Sequence, residues 1–196
     1  MCASISKSAS EALKRIKKAN TIQNIIEGLP IVLSDPKYKL SSMKMYNRSR
    51  HIQDWVFDTI KANVSHFYDN ACPWLDSDKR DEILHREMWN IIVSSEAVYL
   101  GFLNFRFDMD EDCDVVYLYE IQVNPLAQRK GIGSLLLSIV EMIAVRNNIT
   151  KVILTSHRNN SASQKFFRDK HGYTDDESSP TLEPVNYDIL SKIMHQ

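Results

Sequence analysis

Apolar residues fall at helical spacing in the first third of the chain, switch to runs and alternation in the middle, and return to helical spacing after residue 131. Ser4 to Ala19 reads as a helix with Ile5, Ala9, Ala12, Leu13 and Ile16 near one face and lysines elsewhere. Gly28-Leu29-Pro30 breaks the chain, and Ser34-Asp35-Pro36 marks a turn. Ser49 to Tyr68 is a second helix, with Ile52, Trp55, Val56, Ile60, Val64 and Phe67 as its stripe. Cys72-Pro73-Trp74 interrupts, and Ser77 to Met88 reads as a short, highly charged helix. Strands follow at Trp89 to Val93 and Ala97 to Asp108, joined at Ser94-Ser95-Glu96, and at Asp114 to Val123 beyond an acidic loop from Met109 to Cys113. Ser134 to Asn147 is a helix, Lys151 to Ser156 a short buried strand, and Asn160 to Lys170 a helix stopped by His171-Gly172. Tyr173 and the region Asn186 to Met194 are the last strands, separated by a polar loop at Ser178-Ser179-Pro180. This order predicts an α/β (α+β) fold around a mixed sheet: one domain over residues 21–196 behind a basic helical extension, residues 1–20.

At 196 residues the chain has the length of one domain with a real core. A net charge of −1 hides an asymmetry. Lys7, Lys14, Arg15, Lys17 and Lys18 face only Glu11 in the first helix, whereas Asp108, Asp110, Glu111, Asp112, Asp114 and Glu120 lie in a stretch without a base. Three cysteines, widely spaced, suggest a reducing compartment and neither a disulfide framework nor a metal site. No apolar run approaches the roughly 20 residues a bilayer requires, and the first residues lack a signal peptide's apolar core. The expectation is a soluble, intracellular protein with no membrane partner and no metal.

The chemistry concentrates after the third strand, at Val123-Asn124-Pro125-Leu126-Ala127-Gln128-Arg129-Lys130-Gly131-Ile132-Gly133-Ser134. Two glycines before a helix leave bare N–H groups and let an anion, most often a phosphate, approach closely. A dinucleotide fingerprint would need glycine at Leu136, and in a Walker loop Lys130 would have to follow a glycine, so both fail. Gln128-x-x-Gly131-x-Gly133 resembles the pyrophosphate loop of the GNAT acetyltransferases. Asn160-x-Ala162 followed by Phe166-Phe167 and Gly172-Tyr173 resembles the second half of that signature. The resemblance implies acetyl-coenzyme A as co-substrate, held by Ile121, Gln122, Val123, Gln128, Arg129, Lys130, Gly131, Ile132, Gly133 and Ser134, with Asn160, Ser163 and Phe167 beside the pantetheine and sulfur. Taken alone, Asn160 is equally a helix cap and the phenylalanines core aromatics.

From about residue 50 onward the likeness narrows. Asn104-Phe105-Arg106-Phe107-Asp108, Tyr117-x-Tyr119-Glu120-x-Gln122, Gln164-x-Phe166-Phe167-Arg168 and Tyr187-Asp188-Ile189-Leu190-Ser191 resemble the histone N-terminal acetyltransferases of the NatD type. That family implies transfer of acetyl to the α-amine of histones beginning Ser-Gly-Arg-Gly, in nucleus and cytoplasm, without an auxiliary subunit. An α-amine titrates near about 7.7–8.0 and a lysine near about 10.4, so freeing the former at neutral pH is easier by about 3–4 kcal/mol. A modest base therefore suffices, and Glu120 is the expected one, with Tyr117 and Tyr119 beside it. Strand alternation puts the tyrosines on one face and Glu120 on the other, so a bulge is needed to gather all three. The Val123 N–H is the expected oxyanion donor. Phe167 stands where many GNAT enzymes carry a tyrosine that protonates the leaving thiolate, so another hydroxyl, such as that of Tyr119, takes that role or none does.

Tyr68, Trp74 and Asp108, with Tyr117 and Tyr119, are the expected acceptor contacts, Asp108 holding the peptide's arginine. Core filling for Trp74, a half-buried strand face for the tyrosines and solvation for the acids are the plainer alternatives. Two other functions remain open: a GNAT enzyme acting on lysine, polyamine or a small amine, and a non-catalytic module binding nucleic acid through Lys14 to Lys18. The absence of a basic face in the core speaks against nucleic-acid binding. The same basic cluster also fits an import signal or a solvated helix face.

Overall fold

The computed structural model describes residues 6–69, 72–181 and 185–195. The elements are α1 (Lys7–Asn20), β1 (Tyr38–Lys44), α2 (Arg50–Val64), α3 (Asp76–Ile83), β2 (Trp89–Ser95), β3 (Val98–Asp110), β4 (Cys113–Val123), α4 (Ile132–Arg146), β5 (Lys151–His157), α5 (Ser161–Gln164), β6 (Thr174–Asp175) and β7 (Tyr187–Ile193). The strands form one mixed sheet in the order β1-β2-β3-β4-β5-β7-β6. Only β4 and β5 run parallel; the other neighbours are antiparallel.

Each face of the sheet carries its own core. On one, α1 and α4 bury Ile16, Leu136, Val140 and Ile143 against Ile91, Leu103, Phe105 and Leu118. On the other, α2 and α3 bury Val56, Phe57, Ile60 and Ile83 against Ile92 and Phe102. The N-terminal helix starts at Lys7, with the Ser6 hydroxyl capping the Ala9 N–H at 3.0 Å; the expected first residues Ser4 and Ile5 lie outside the described residues. Its Arg15 forks onto Asp114 at 2.7 Å through two nitrogens, which ties the helix to the start of β4.

Four expectations change. Residues 38–44 form β1, an edge strand that the sequence masks by placing Ser42 inward and exposing Met43. The charged helix is shorter than Ser77 to Met88: it ends at Ile83, and Met88 is buried at the entry to β2. The acidic loop shrinks to a tight turn at Glu111-Asp112, with Glu111 at φ 52°, so Asp108, Met109 and Asp110 belong to β3. The helix expected over Asn160 to Lys170 is α-helical only to Gln164 and winds as a π-helix from Lys165 to Lys170. Arg168 is pinned there by Asp175 and Asp188, and the wider turn seats Phe167 in the core beside Tyr173.

One local departure from regular pairing builds the site. β3 and β4 pair Asn104 with Glu120 and then Phe105 with Leu118, which leaves Tyr119 as the extra residue of a bulge. The alternation of faces is broken there.

Candidate active site

The loop after β4 is shaped for an anion. Arg129 (φ 63°) and Gly131 (φ 84°) are both left-handed, and Gly131 opens α4 without a side-chain cap. The first-turn N–H groups of α4 therefore point into open space at the positive end of a four-turn helix. A Cβ on Gly133 would meet the Phe166 ring at 3.4 Å, ordinary contact, so this second glycine marks where α4 packs on the π-helix without being demanded by a clash. The groove in front has a volume of about 1060 Å³ and runs past Ile121, Val123, Gln128, Arg129, Gly131 to Ser134, Asn160, Ser163, Phe166, Phe167 and Lys170. Lys170 donates to the Ser134 hydroxyl at 2.9 Å, adding a cation to the same mouth.

The groove exists because β4 and β5 pair only from Val116 to Leu118, opposite Val152 to Leu154, and then diverge. Asn124 donates back to Leu100 at 2.8 Å, so by alternation the N–H groups of Ile121 and Val123 face the opening. Bare strand donors, a long channel and a basic phosphate seat fit an extended acyl carrier such as acetyl-coenzyme A, whose thioester would supply the acetyl group.

A second cavity of about 230 Å³ adjoins it, lined by Tyr68, Lys79, Glu82, Tyr117, Tyr119, Glu120, Thr155, His157, Asn160 and Ser163, with Val64 and Ser156. Asn160 and Ser163 belong to both walls, so the two cavities meet at the start of α5. The bulge at Tyr119 is what brings Tyr117, Tyr119 and Glu120 to one chamber. Glu120 is 7% exposed; one carboxylate oxygen accepts from Gln122 Nε2 at 2.8 Å and the other from Lys79 Nζ at 3.2 Å. Burial pushes its proton affinity above the ordinary carboxylate range, and Lys79 opposes this without cancelling it. Lys79 itself, although desolvated, is held protonated by Glu120 and by Glu82 at 2.6 Å. Tyr119 is pushed up to about 12 by burial, against the pull of Arg106, whose guanidinium stacks 4.8 Å over its ring. Tyr117 shares a 2.6 Å hydrogen bond with Thr155.

Residues 52–173 match the acetyltransferase (GNAT) family. The chain belongs to that family. It is a GNAT acetyltransferase, with acetyl-coenzyme A as its acetyl donor. Solved structures of similar fold include Arabidopsis thaliana Naa50 in complex with the bisubstrate analogue CoA-Ac-MVNAL, at 19% identity over 80% of this chain and 98% of that one, with a TM-score of 0.57. Ard1 from Thermoplasma volcanium has 14% identity over 82% and 99%, TM-score 0.59. The ribosomal-protein-S18-alanine N-acetyltransferase from Escherichia coli has 15% over 81% and 95%, TM-score 0.56.

The fold brings most, not all, of the residues expected from sequence to the groove and its adjoining chamber. Gln122 faces away from the groove: its amide bridges Glu120 and Asn63 of α2, the latter at 3.0 Å. Lys130 is exposed and outside the groove lining, whereas Ile132 is buried yet still borders the groove. Asn160 caps α5, its oxygen accepting from Ser163 N at 3.0 Å, while still lining both cavities. Ser163 Oγ pairs with Ser156 Oγ at 2.8 Å, which places a hydroxyl where the cavities meet; Tyr119 lines the smaller one. Trp74 stands behind the chamber wall, with its ring edge-on to Tyr68 at 5.1 Å, and so supports that wall instead of forming it.

The acids behave least as expected. Asp108 is bound to Arg106, Asp110 to Lys151 at 2.8 Å, and Asp114 to Arg15. The stretch without a base finds its bases elsewhere in the fold. Chamber residues that the sequence reading did not single out include Lys79 and Glu82, hidden in the short, highly charged helix, Thr155, which bonds Tyr117, and His157, whose ring packs 4.6 Å from that of Tyr68. Trp74→Ala is expected to raise the acceptor KM several-fold by loosening Tyr68, with acetyl-coenzyme A affinity unchanged in a calorimetric titration.

Proposed function

We propose that this GNAT acetyltransferase modifies protein amino termini, and that its acceptor is the free α-amine of a histone-type Ser-Gly-Arg-Gly sequence. The observation that carries the reading is the small tyrosine-lined chamber joined to the cofactor groove, with a buried carboxylate raised toward the range of a useful base. A chamber of about 230 Å³ has room for a small first residue and its amine. Glu120 takes the proton from the amine, and the N–H of Val123 is aimed where the carbonyl oxygen becomes negative. Lys79, which lines the same chamber and donates to Glu120 at 3.2 Å, keeps a positive charge beside it and favours the carboxylate form that accepts the proton.

The sequence resemblance to NatD-type enzymes supports the histone part. Asp108 joins the chamber through Arg106, which stacks on Tyr119, and a peptide arginine would take the place of Arg106 on that carboxylate. The enzyme acts without an auxiliary subunit, in nucleus and cytoplasm.

The test is mass spectrometry of Ser-Gly-Arg-Gly-Lys peptides with free and blocked amino termini. Acetylation of the free terminus alone is expected. Replacing the peptide's Arg by Ala should raise KM, and Asp108→Ala should reproduce that loss without adding to it, as a direct pair requires. Added salt should weaken a basic peptide more than a neutral one, screening being effective beyond roughly 10 Å at 0.1 M. Acetyl found on the lysine of the blocked peptide would instead establish an ε-amine acetyltransferase.

A further inference from the structure

A row of buried polar side chains crosses the sheet beneath α2 and has no place in the chemistry described so far. It begins at Arg48, just ahead of α2 and 7% exposed. Its guanidinium donates to Asn90 Oδ1 at 2.8 Å, to the Ser41 carbonyl at 2.9 Å, to Ser41 Oγ at 3.1 Å and to the Asn90 carbonyl at 3.2 Å. All four acceptors are neutral, so a buried cation is carried on hydrogen bonds alone, an arrangement costly enough to ask what it does.

The row has a direction. A guanidinium only donates, so the Asn90 oxygen must face Arg48 and its NH₂ must face the other way. That NH₂ donates to Asn104 Oδ1 at 2.7 Å. The Asn104 oxygen is thereby fixed toward Asn90, and its own NH₂ is turned onward along the sheet. Asn104 is fully buried, yet among the described residues Nδ2 meets no acceptor. Its cross-strand partner on the next strand is Glu120, at the bulge and on the same face. Side chains so paired have Cβ atoms about 4.5–5.5 Å apart, which makes the Glu120 carboxylate the nearest cross-strand group on the side to which the free NH₂ is turned. A buried amide donor is almost always satisfied, and a bound water is the partner that fits.

We propose that Arg48, Asn90 and Asn104 form a one-way hydrogen-bond relay that ends on the Glu120 carboxylate through one bound water, making Asn104 a positioning residue for the base. The proposal deepens the reading of Glu120 as base and rests on it for its catalytic consequence. Gln122 from β4 itself and Lys79 from α3 already hold the two carboxylate oxygens. The relay adds a donor from β3, so the carboxylate is held from three directions, each donor favouring the charged form against its burial. The other groups facing Glu120 are Lys79 and Glu82 from α3, Tyr68 beyond α2, Tyr117 and Tyr119 on its own strand, and His157 from β5.

Infrared difference spectroscopy of the free protein follows the Glu120 carboxyl directly, Glu120→Gln identifying its band. In Asn104→Leu the titration should move up by about one pH unit, since the charged form loses a donor. The acidic limb of the kcat/KM profile should move with it, while acetyl-coenzyme A affinity stays unchanged. Asn104→Asp, close in shape, still accepts from Asn90 but sets a second carboxylate beside Glu120, and should move the titration further up. Arg48 substitution, two bonds away, should shift it the same way by less. A folded Asn104 variant with an unmoved carboxyl band overturns the relay. A high-resolution crystal structure of the unaltered protein gives the second check: a water within about 3.2 Å of both Asn104 Nδ2 and Glu120 is expected, and an amide facing only apolar atoms overturns the proposal. If instead Glu120→Gln keeps full turnover, the assignment of the base falls while the infrared shift still stands or fails by itself.

Discussion

Glu120→Gln is expected to lower turnover by about 10²–10⁴-fold, the usual contribution of a positioned base, while acetyl-coenzyme A affinity hardly changes. The affinity should hold because the carboxylate lines the smaller chamber and the phosphate seat lies at the other end of the groove. Glutamine keeps the shape and can still accept from Lys79, which also retains Glu82 at 2.6 Å. The fold should therefore survive. Burial raises the folded-state proton affinity of Glu120, so its linkage contribution to stability is present below the unfolded pKa and lost as pH rises through the folded one. At neutral pH the buried charge is a burden the amide removes, and thermal melting of the variant should show little loss.

The pH dependence sharpens this. In the parent enzyme, kcat/KM should rise first through the raised titration of Glu120 and again as the α-amine loses its proton near about 8. In the variant the first limb disappears. The penalty should be largest below the amine's pKa, where a proton must be removed, and smallest above it, where the free amine arrives ready. A variant whose profile keeps the lower limb would show that another group of the chamber is the base. Tyr119 would not be that group: it is pushed up to about 12, which makes it a hydrogen-bond donor at neutral pH and a poor acceptor of protons.

The cofactor half of this site was legible because it is local: Gln128 to Ser134 is one continuous stretch, and the positive φ of Gly131 is written into the residue type. The acceptor half was legible only in part, because it is assembled from β4, β5, α3 and the segment after α2. The bulge could be required from Tyr117, Tyr119 and Glu120, since alternation otherwise separates them, but its place opposite Asn104 and Phe105 depends on pairing with β3. Lys79 was hidden because α3 has charges all round, and periodicity cannot single out which lysine a neighbouring carboxylate will bury. The acids where β3 turns into β4 misled for the same reason in reverse. Asp110 and Asp114 find Lys151 and Arg15 across the fold, partners at sequence distances no local pattern reports.

Gly131→Pro is expected to abolish detectable acetyl-coenzyme A binding, and with it all turnover, while leaving most of the fold in place. Gly131 sits at φ 84°, and a proline ring fixes φ near about −65°, so the loop cannot keep its path. The change also removes an N–H at the open end of α4, where the helix presents its bare donors to the phosphates. Stability should suffer less than binding. A Cβ at Gly131 meets nothing within 4 Å, and the buried face of α4, from Ile132 through Leu136 and Val140 to Ile143, lies beyond the altered turn. Proline is tolerated in the first turn of a helix, so α4 should re-form from Ile132 or the next residue. Calorimetric titration with acetyl-coenzyme A and far-ultraviolet circular dichroism on the same sample separate the two effects. Retained helix with lost binding heat is the expected pair. Undiminished affinity would mean that the anion seat lies elsewhere, with Arg129, Lys165 and Lys170 as the groups left to supply it.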